Sequence, residues 1–293
     1  MRVLFIGSVA FSEKTLEKLI DLKVNLVGVV TKKSSSFNAD FVDLSKTADA
    51  HSIDFHYTKN VNDQKSVNWI ESKEPDLIFC LGWSQLLKKE ILNIPPRGVV
   101  GYHPAKIPEN RGRHPLIWAI ALGLNETAST FFMMDEGADT GDIISQESFK
   151  ILHKDYAADV YKRMIETALG QIEEIVSNLQ SNKIVSVPQN PENGNSWRKR
   201  GKEDGKVDFR ISSENIYNLV RALSKPYIGA HIEYQGSEIK VWKTVPDKCN
   251  AKNIEPGKIL DLDENKIKVK TGDSAVWLTE HEFDILPEIN TYI

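Results

Sequence analysis

His103 stands directly before Pro104 at the end of a short apolar run, and Asp139 follows 36 residues later in Asp135-Glu136-Gly137-Ala138-Asp139-Thr140-Gly141-Asp142. An imidazole and a carboxylate are what proton transfer in group-transfer chemistry requires. A histidine has an unperturbed pKa of roughly 6.5 and can give or take a proton near neutral pH. A carboxylate beside it orients the ring. Spacing alone does not bring the two together. The acidic loop also has the residue types of a calcium site, but its carboxylates do not alternate as calcium ligands do, and no glutamate stands where a bidentate ligand is needed. His51, His56, His114 and His153 lack ligand-like spacing, and Cys80 and Cys249 are too few for a cysteine-based zinc site. No metal is expected.

Those residues need elements to position them. Arg2–Gly7, Asn25–Thr31, Asp76–Gly82 and Gly98–Tyr102 are short apolar runs that read as strands, with helical patterns at Ser12–Leu22, Asp40–His51 and Val61–Ser72. Apolar strands separated by helices indicate a parallel sheet covered on both faces. Ligands of such a sheet bind at the carboxyl ends of its strands. Gly7-Ser8, Trp83-Ser84-Gln85 and Gly101-Tyr102-His103-Pro104 fall at those ends. A further strand, Ser129–Met134, leads into the acidic loop, and a long helix is predicted over Asp155–Ser181. Val187–Gly205 has linker composition, rich in Pro, Gly and basic residues. Beyond it come one helix, Ser213–Ser224, and five short β-like runs. The expected fold is α/β, a doubly wound, mostly parallel Rossmann-like sheet with a smaller C-terminal β-barrel of OB-like kind. The expected division is 1–187 catalytic, 188–204 linker and 205–293 β-barrel-like. Trp69, Trp118 and Trp242 read as core, and Lys32–Ser36 as a loop.

Composition narrows the function. The chain has 293 residues, 41% hydrophobic and 27% charged, with a net charge of −4. No apolar run reaches the roughly 20 residues that span a bilayer. The opening residues read as a strand rather than a secretory signal, so no membrane association and a cytoplasmic location are expected. The acidic balance argues against broad nucleic-acid binding, which rests on many phosphate contacts.

Taken together, the residues resemble a known family. His-Pro-x-x-x-Pro-x-x-Arg-Gly from His103 to Gly112, followed by Asp-Thr-Gly-Asp from Asp139 to Asp142, is similar to the signature of the folate-dependent formyltransferases. Phe5-Ile6-Gly7-Ser8 with Phe11 resembles the family's opening strand and loop. Asp204–Phe209 and Arg221–Tyr227 resemble the start of the C-terminal domain in its tRNA and amino-sugar branches. The resemblance implies 10-formyltetrahydrofolate as co-substrate, with His103 and Asp139 catalytic. Ser84, Gln85, Leu86, Asp135, Gly137 and Ala138 would line the folate pocket, and Gly7, Ser8 and Phe11 the acceptor side. The family places an Asn two residues before the His, where this chain has Gly101. A hydrolase branch that splits 10-formyltetrahydrofolate also lacks that Asn, and Gln85 and Asn110 are nearby amides that would replace its donor.

The acceptor is read from the remaining differences. Residues 205–293 hold ten lysines and two arginines against fourteen carboxylates, a net charge of −2 and a poor platform for tRNA. Asn110–Trp118, Ser129–Phe132 and Trp197-Arg198-Lys199-Arg200 resemble the amino-sugar branch. On that reading Arg198 and Arg200 meet a diphosphate, because guanidinium forks match phosphate oxygens. The expected acceptor is a nucleotide-linked amino-deoxy sugar, such as a dTDP-4-amino-4,6-dideoxyhexose for surface polysaccharide. Methionyl-tRNA is the alternative, followed by folate hydrolysis and non-catalytic folate binding. The sugar branch is often dimeric, so a homodimer is the default.

Overall fold

The computed structural model describes residues 1–35, 39–181 and 183–293. Ser36 of the expected Lys32–Ser36 loop lies outside them. Contacts divide the chain into two units: Met1–Gly112, Thr127–Phe149 and Lys162–Trp197 form the first, and Arg113–Glu126, Lys150–Tyr161 and Arg198–Ile293 the second.

In chain order the elements of the parallel part are β1 (Arg2–Ile6), α1 (Ala10–Asp21), β2 (Asn25–Thr31), α2 (Ser45–Ala50), β3 (Phe55–Tyr57), α3 (Gln64–Ser72), β4 (Leu77–Cys80), α4 (Lys89–Leu92) and β5 (Val99–His103). There follow β6 (Arg111–Gly112), α5 (Pro115–Ala121), β7 (Glu126–Met133), β8 (Ile143–Lys150), α6 (Ala157–Gln180) and β9 (Ser196–Trp197). The chain closes with α7 (Ser213–Leu223), β10 (Ala230–Tyr234), β11 (Ser237–Asp247), β12 (Ile259–Asp263), β13 (Lys266–Lys270) and β14 (Ala275–His281).

The first unit is built on a seven-stranded sheet of order β3-β2-β1-β4-β5-β7-β8. Strands β3 through β5 run parallel, and β7 is antiparallel to β5, with His103 opposite Thr130. Val3 to Ile6 are completely buried because helices cover both faces of a parallel sheet. One face packs Leu4, Ile6, Val30, Ile78 and Val99 against Val67 and Ile70 of α3. The chain leaves β1 toward β3 and returns to β4, so strand order reverses between β1 and β4. That is the topological switch point at which such sheets bind ligands. Ser12 ties it together: its hydroxyl accepts from the Ser8 and Val9 amides (3.1 and 3.2 Å) and donates to the Leu81 carbonyl (2.6 Å).

Two helices are shorter than their patterns suggest. The Asp63 carboxylate accepts from the Ser66 amide at 2.7 Å and starts α3 at Gln64 instead of Val61. The expected Asp40–His51 helix is reduced to Ser45–Ala50, because the preceding segment pairs with the turn after β1. Ala10 donates to the Asp40 carbonyl, and Val42 to that of Ser8, at 2.8 and 3.0 Å. β8 was not anticipated.

The second unit holds a five-stranded antiparallel sheet, β10-β11-β14-β13-β12, with α5 and α7. α7 opens on Ser212, whose hydroxyl accepts from the Asn215 amide at 3.2 Å. Its buried Arg221 is satisfied by the Asn218 side chain (2.8 Å) and the carbonyls of Asp155 and Leu152 (3.0 and 3.3 Å). No helix among the described residues is long and apolar enough to cross a membrane.

Candidate active site

His103 is the last residue of β5 and is buried, while Asp139 lies on the loop after β7. That loop is closed at its base by the Met133 amide, which donates to the Asp142 carbonyl at 2.8 Å. The fold brings the pair together: Nδ1 of His103 is 3.4 Å from Oδ2 of Asp139. Nε2 faces the backbone carbonyl of Asn110 at 2.9 Å. A carbonyl only accepts, so Nε2 carries a proton and donates, and Nδ1 is the nitrogen turned toward the carboxylate.

Asp139 has a left-handed backbone, φ 59°, which few non-glycine residues adopt without support. The Gly112 amide donates to its Oδ2 at 3.1 Å, and Nε of Arg111 donates to its carbonyl at 3.1 Å. Arg111 and Gly112 form β6, which pairs with β9. Gly112 has φ 100°, and a Cβ there would run into the Trp197 carbonyl oxygen, so this position requires glycine.

Gly101 faces the same side of β5 as His103, and its space is already taken. A Cβ at 101 would lie 2.7 Å from Cγ of Met134 and 2.9 Å from Cζ of Phe132. Apolar side chains occupy the space into which a side chain at 101 would project. Of the two expected substitutes, Gln85 has its amide engaged elsewhere. The Gln85 amide donates to the Lys59 carbonyl (2.8 Å) and accepts from the Val61 amide (3.1 Å). Asn110 turns its backbone carbonyl, an acceptor, toward the ring.

At the switch point Gly7 and Ser8 follow β1 and are buried, and Phe11 packs on Tyr102 with ring centroids 4.3 Å apart. Burial pushes the Tyr102 phenol well above its ordinary value. Ser84, Gln85 and Leu86 follow β4, and Leu86 is exposed. Lys32, beyond β2, lies over the Trp83 indole at 4.6 Å and donates to the Ser84 hydroxyl at 3.4 Å; partial burial lowers its pKa. The Ser8 hydroxyl and Trp83 Nε1 are buried with no hydrogen-bond partner among the described residues. Orphaned polar atoms on the loops after β1 and β4, which flank the switch point, fit a polar ligand there. In the acidic loop, Asp135 accepts from the Gly137 amide (3.0 Å) and the Thr140 hydroxyl (2.6 Å), shaping the turn that carries Ala138. Among the described residues no group of three His, Cys, Asp or Glu side chains is arranged to hold a metal.

In the second unit Arg198 and Arg200 lie over the ring of Trp118, at 5.3 and 4.5 Å from its centroid. Trp118 is thus a partly exposed platform, not the core residue its type suggested, and its Nε1 donates to the Arg198 carbonyl at 3.0 Å. Arg198 also forks onto the Asp204 carboxylate, and Arg200, buried, donates to the Asp204 carbonyl. Sequence reasoning missed Gln189, whose amide bonds the Asp139 and Gly141 carbonyls. It lies in a polar stretch with no periodicity to single it out.

A family model described as formyl transferase matches residues 1–175, and one described as formyl transferase, C-terminal domain, matches residues 199–287. The methionyl-tRNA formyltransferase of Alkaliphilus oremlandii (strain OhILAs) is 29% identical over 287 residues, covering 97% of this chain and 92% of that protein. The structure of WlaRD, a sugar 3N-formyl transferase in the presence of dTDP and 5-N-formyl-THF, superposes with a TM-score of 0.72 at 18% identity. It covers 97% of this chain and 99% of that one. HypX from Aquifex aeolicus in complex with tetrahydrofolic acid superposes with a TM-score of 0.68 at 21% identity over 96% of this chain. This chain spans only 44% of HypX.

Proposed function

The chain belongs to the formyl transferase family, and from that premise we propose that it moves the formyl group of 10-formyltetrahydrofolate to the amine of a nucleotide-linked amino-deoxy sugar. The observation that carries the chemistry is the buried His103 with Nδ1 at 3.4 Å from the Asp139 carboxylate. The folate supplies an activated formyl carbon. A neutral amine bonds to that carbon, the bond to the folate nitrogen breaks, and one amine proton ends on that nitrogen.

The Nε2 proton of His103, held by the Asn110 carbonyl at 2.9 Å, passes from that carbonyl to the oxygen that becomes negative during the exchange, where a single donor is typically worth about 10²–10³ in rate. Asp139 fixes the ring's orientation. Ser84, Gln85, Leu86, Asp135, Gly137 and Ala138 are our candidates for the folate pocket, and Gly7, Ser8 and Phe11 for the acceptor side. The Ser8 hydroxyl and Trp83 Nε1, without a partner among the described residues, support a polar ligand at that edge of the sheet. Of the two arginines, Arg198 is the better candidate for a diphosphate. It is exposed, and a solvent-screened surface ion pair such as the one with Asp204 is weak, so phosphate can compete for it.

The sugar reading rests on the net charge of −2 over residues 205–293, which gives tRNA little to bind. A second reading, methionyl-tRNA as acceptor, is favoured by the name of the Alkaliphilus relative. The protein is incubated with 10-formyltetrahydrofolate and dTDP-, UDP- and GDP-linked amino sugars, with methionyl-tRNA alongside, and products are weighed by mass spectrometry. One formyl group gained by a sugar is expected. Formylated methionyl-tRNA alone would reverse the choice of acceptor, and folate consumption without an acylated product would mean hydrolysis.

A further inference from the structure

We infer that Gln189 is a positioning residue: it holds the Asp139 peptide in its left-handed conformation and so aims the carboxylate at His103. This inference rests on the formyl-transfer reading of the site. The side-chain amide of Gln189 is completely used. Its Nε2 donates to the Asp139 carbonyl at 3.0 Å and to the Gly141 carbonyl at 2.6 Å. Its Oε1 accepts from Nη2 and Nε of Arg111 at 2.6 and 3.2 Å. A primary amide has two N–H donors and one oxygen with two lone pairs, and all four are filled. Only one orientation of the amide works, since a flip would set Oε1 against two carbonyls and the NH₂ against a guanidinium.

These bonds converge on one residue. Asp139 has φ 59°, and its carbonyl receives both Gln189 Nε2 and Arg111 Nε. Its carboxylate is held separately, by the Gly112 amide at 3.1 Å and by His103. The main chain of Asp139 is therefore fixed from the Gln189 side and its side chain from the Gly112 side. The stretch after Gln189 clasps the opposite wall. Asn195 accepts from the Asn110 amide through Oδ1 (2.6 Å) and from the Arg111 amide through its carbonyl (3.1 Å). Residues 189–197 therefore join the two loops that carry the site's polar groups, and Gln189 is the side chain that reaches Asp139. Without its two donors the Asp139 and Gly141 carbonyls lose partners in a half-buried place, and the left-handed peptide is free to relax.

Two variants separate donation from bulk. Gln189→Met keeps length without hydrogen bonds. Gln189→Glu keeps shape and the acceptor for Arg111 but presents oxygen to two carbonyls. Both are expected to lower kcat about 10-fold or more while KM for 10-formyltetrahydrofolate and for the acceptor stays within about 3-fold, because misplacement of a catalytic group by ~1 Å can cost 10² in rate. Imidazole ¹⁵N spectra of the ligand-free protein, with His103 assigned through His103→Gln, give a readout independent of any substrate. The His103 resonances of Gln189→Met should move toward those of Asp139→Asn. Wild-type kcat in folded Gln189→Met and Gln189→Glu, or wild-type His103 resonances in Gln189→Met where Asp139→Asn alters them, would overturn the positioning role. If the wild-type protein moves no formyl group, the proposed reaction fails, and the spectra still decide whether Gln189 governs the pair.

Discussion

Oδ2 of Asp139 sits between Nδ1 of His103, at 3.4 Å, and the Gly112 amide, at 3.1 Å. The amide fixes one lone pair of the carboxylate oxygen and leaves the carboxylate facing the imidazole. Removing either member should therefore stop catalysis without unfolding the protein. His103→Ala should lower formyl transfer about 10²–10⁴-fold. For the carboxylate, Asp139→Asn is the cleaner variant. Asn tolerates the left-handed φ of 59°, whereas alanine would add backbone strain to the loss of charge. Activity measured alongside thermal melting decides the matter: near-wild-type turnover in either well-folded variant contradicts the assignment.

Gly101 offers a test of how this chain departs from its family. Restoring the amide as Gly101→Asn puts a Cβ 2.7 Å from Cγ of Met134 and 2.9 Å from Cζ of Phe132. Overpacking of this kind typically costs ~1–3 kcal/mol, so Gly101→Asn should melt several degrees lower and gain no activity. Phe132→Ala alone costs ~3–5 kcal/mol as a core truncation, but in that background, with one of the two clashing side chains gone, the added amide should cost less than it does in the wild type. An unchanged melting temperature in Gly101→Asn would mean that Met134 and Phe132 yield freely and do not define this wall.

Legibility in the sequence followed burial. β1, β4 and β5 are buried on both faces and stand out as continuous apolar runs, and α6 shows its helical period over six turns. β8 did not stand out, because Ser145-Gln146-Glu147-Ser148 gives it a half-exposed, polar character that matches no strand pattern. In the site, His103 and Asp139 were visible as residue types, but Gln189 was not. Its work is done by an amide on backbone carbonyls, which leaves no trace in hydrophobic periodicity, and the surrounding Pro and Gly suggested a linker. The basic run was visible, yet its partners were not. Asp204 and Trp118 meet Arg198 and Arg200 only once the second unit has folded.

Asp204 should make the protein's stability depend on acid in a definite direction. Its carboxylate accepts from Nη1 of Arg198 at 2.8 Å and from the Gly201 amide at 2.6 Å, and its side chain is only 17% exposed. The Arg198 fork, then the Gly201 amide, hold its pKa far below the ordinary carboxylate value of 3.8. A depressed pKa means the unfolded chain binds the proton more readily than the folded one. The stabilisation is therefore fully present above about pH 4 and is lost as pH falls through the lower, folded value. Because Arg198 is largely exposed, solvent screening limits the contribution to ~1–2 kcal/mol. Urea unfolding of the wild type and of Asp204→Asn should show the wild type more stable at pH 7, with the gap narrowing as pH is lowered below 4. A gap that widens in acid would mean that the carboxylate is not held ionised by Arg198.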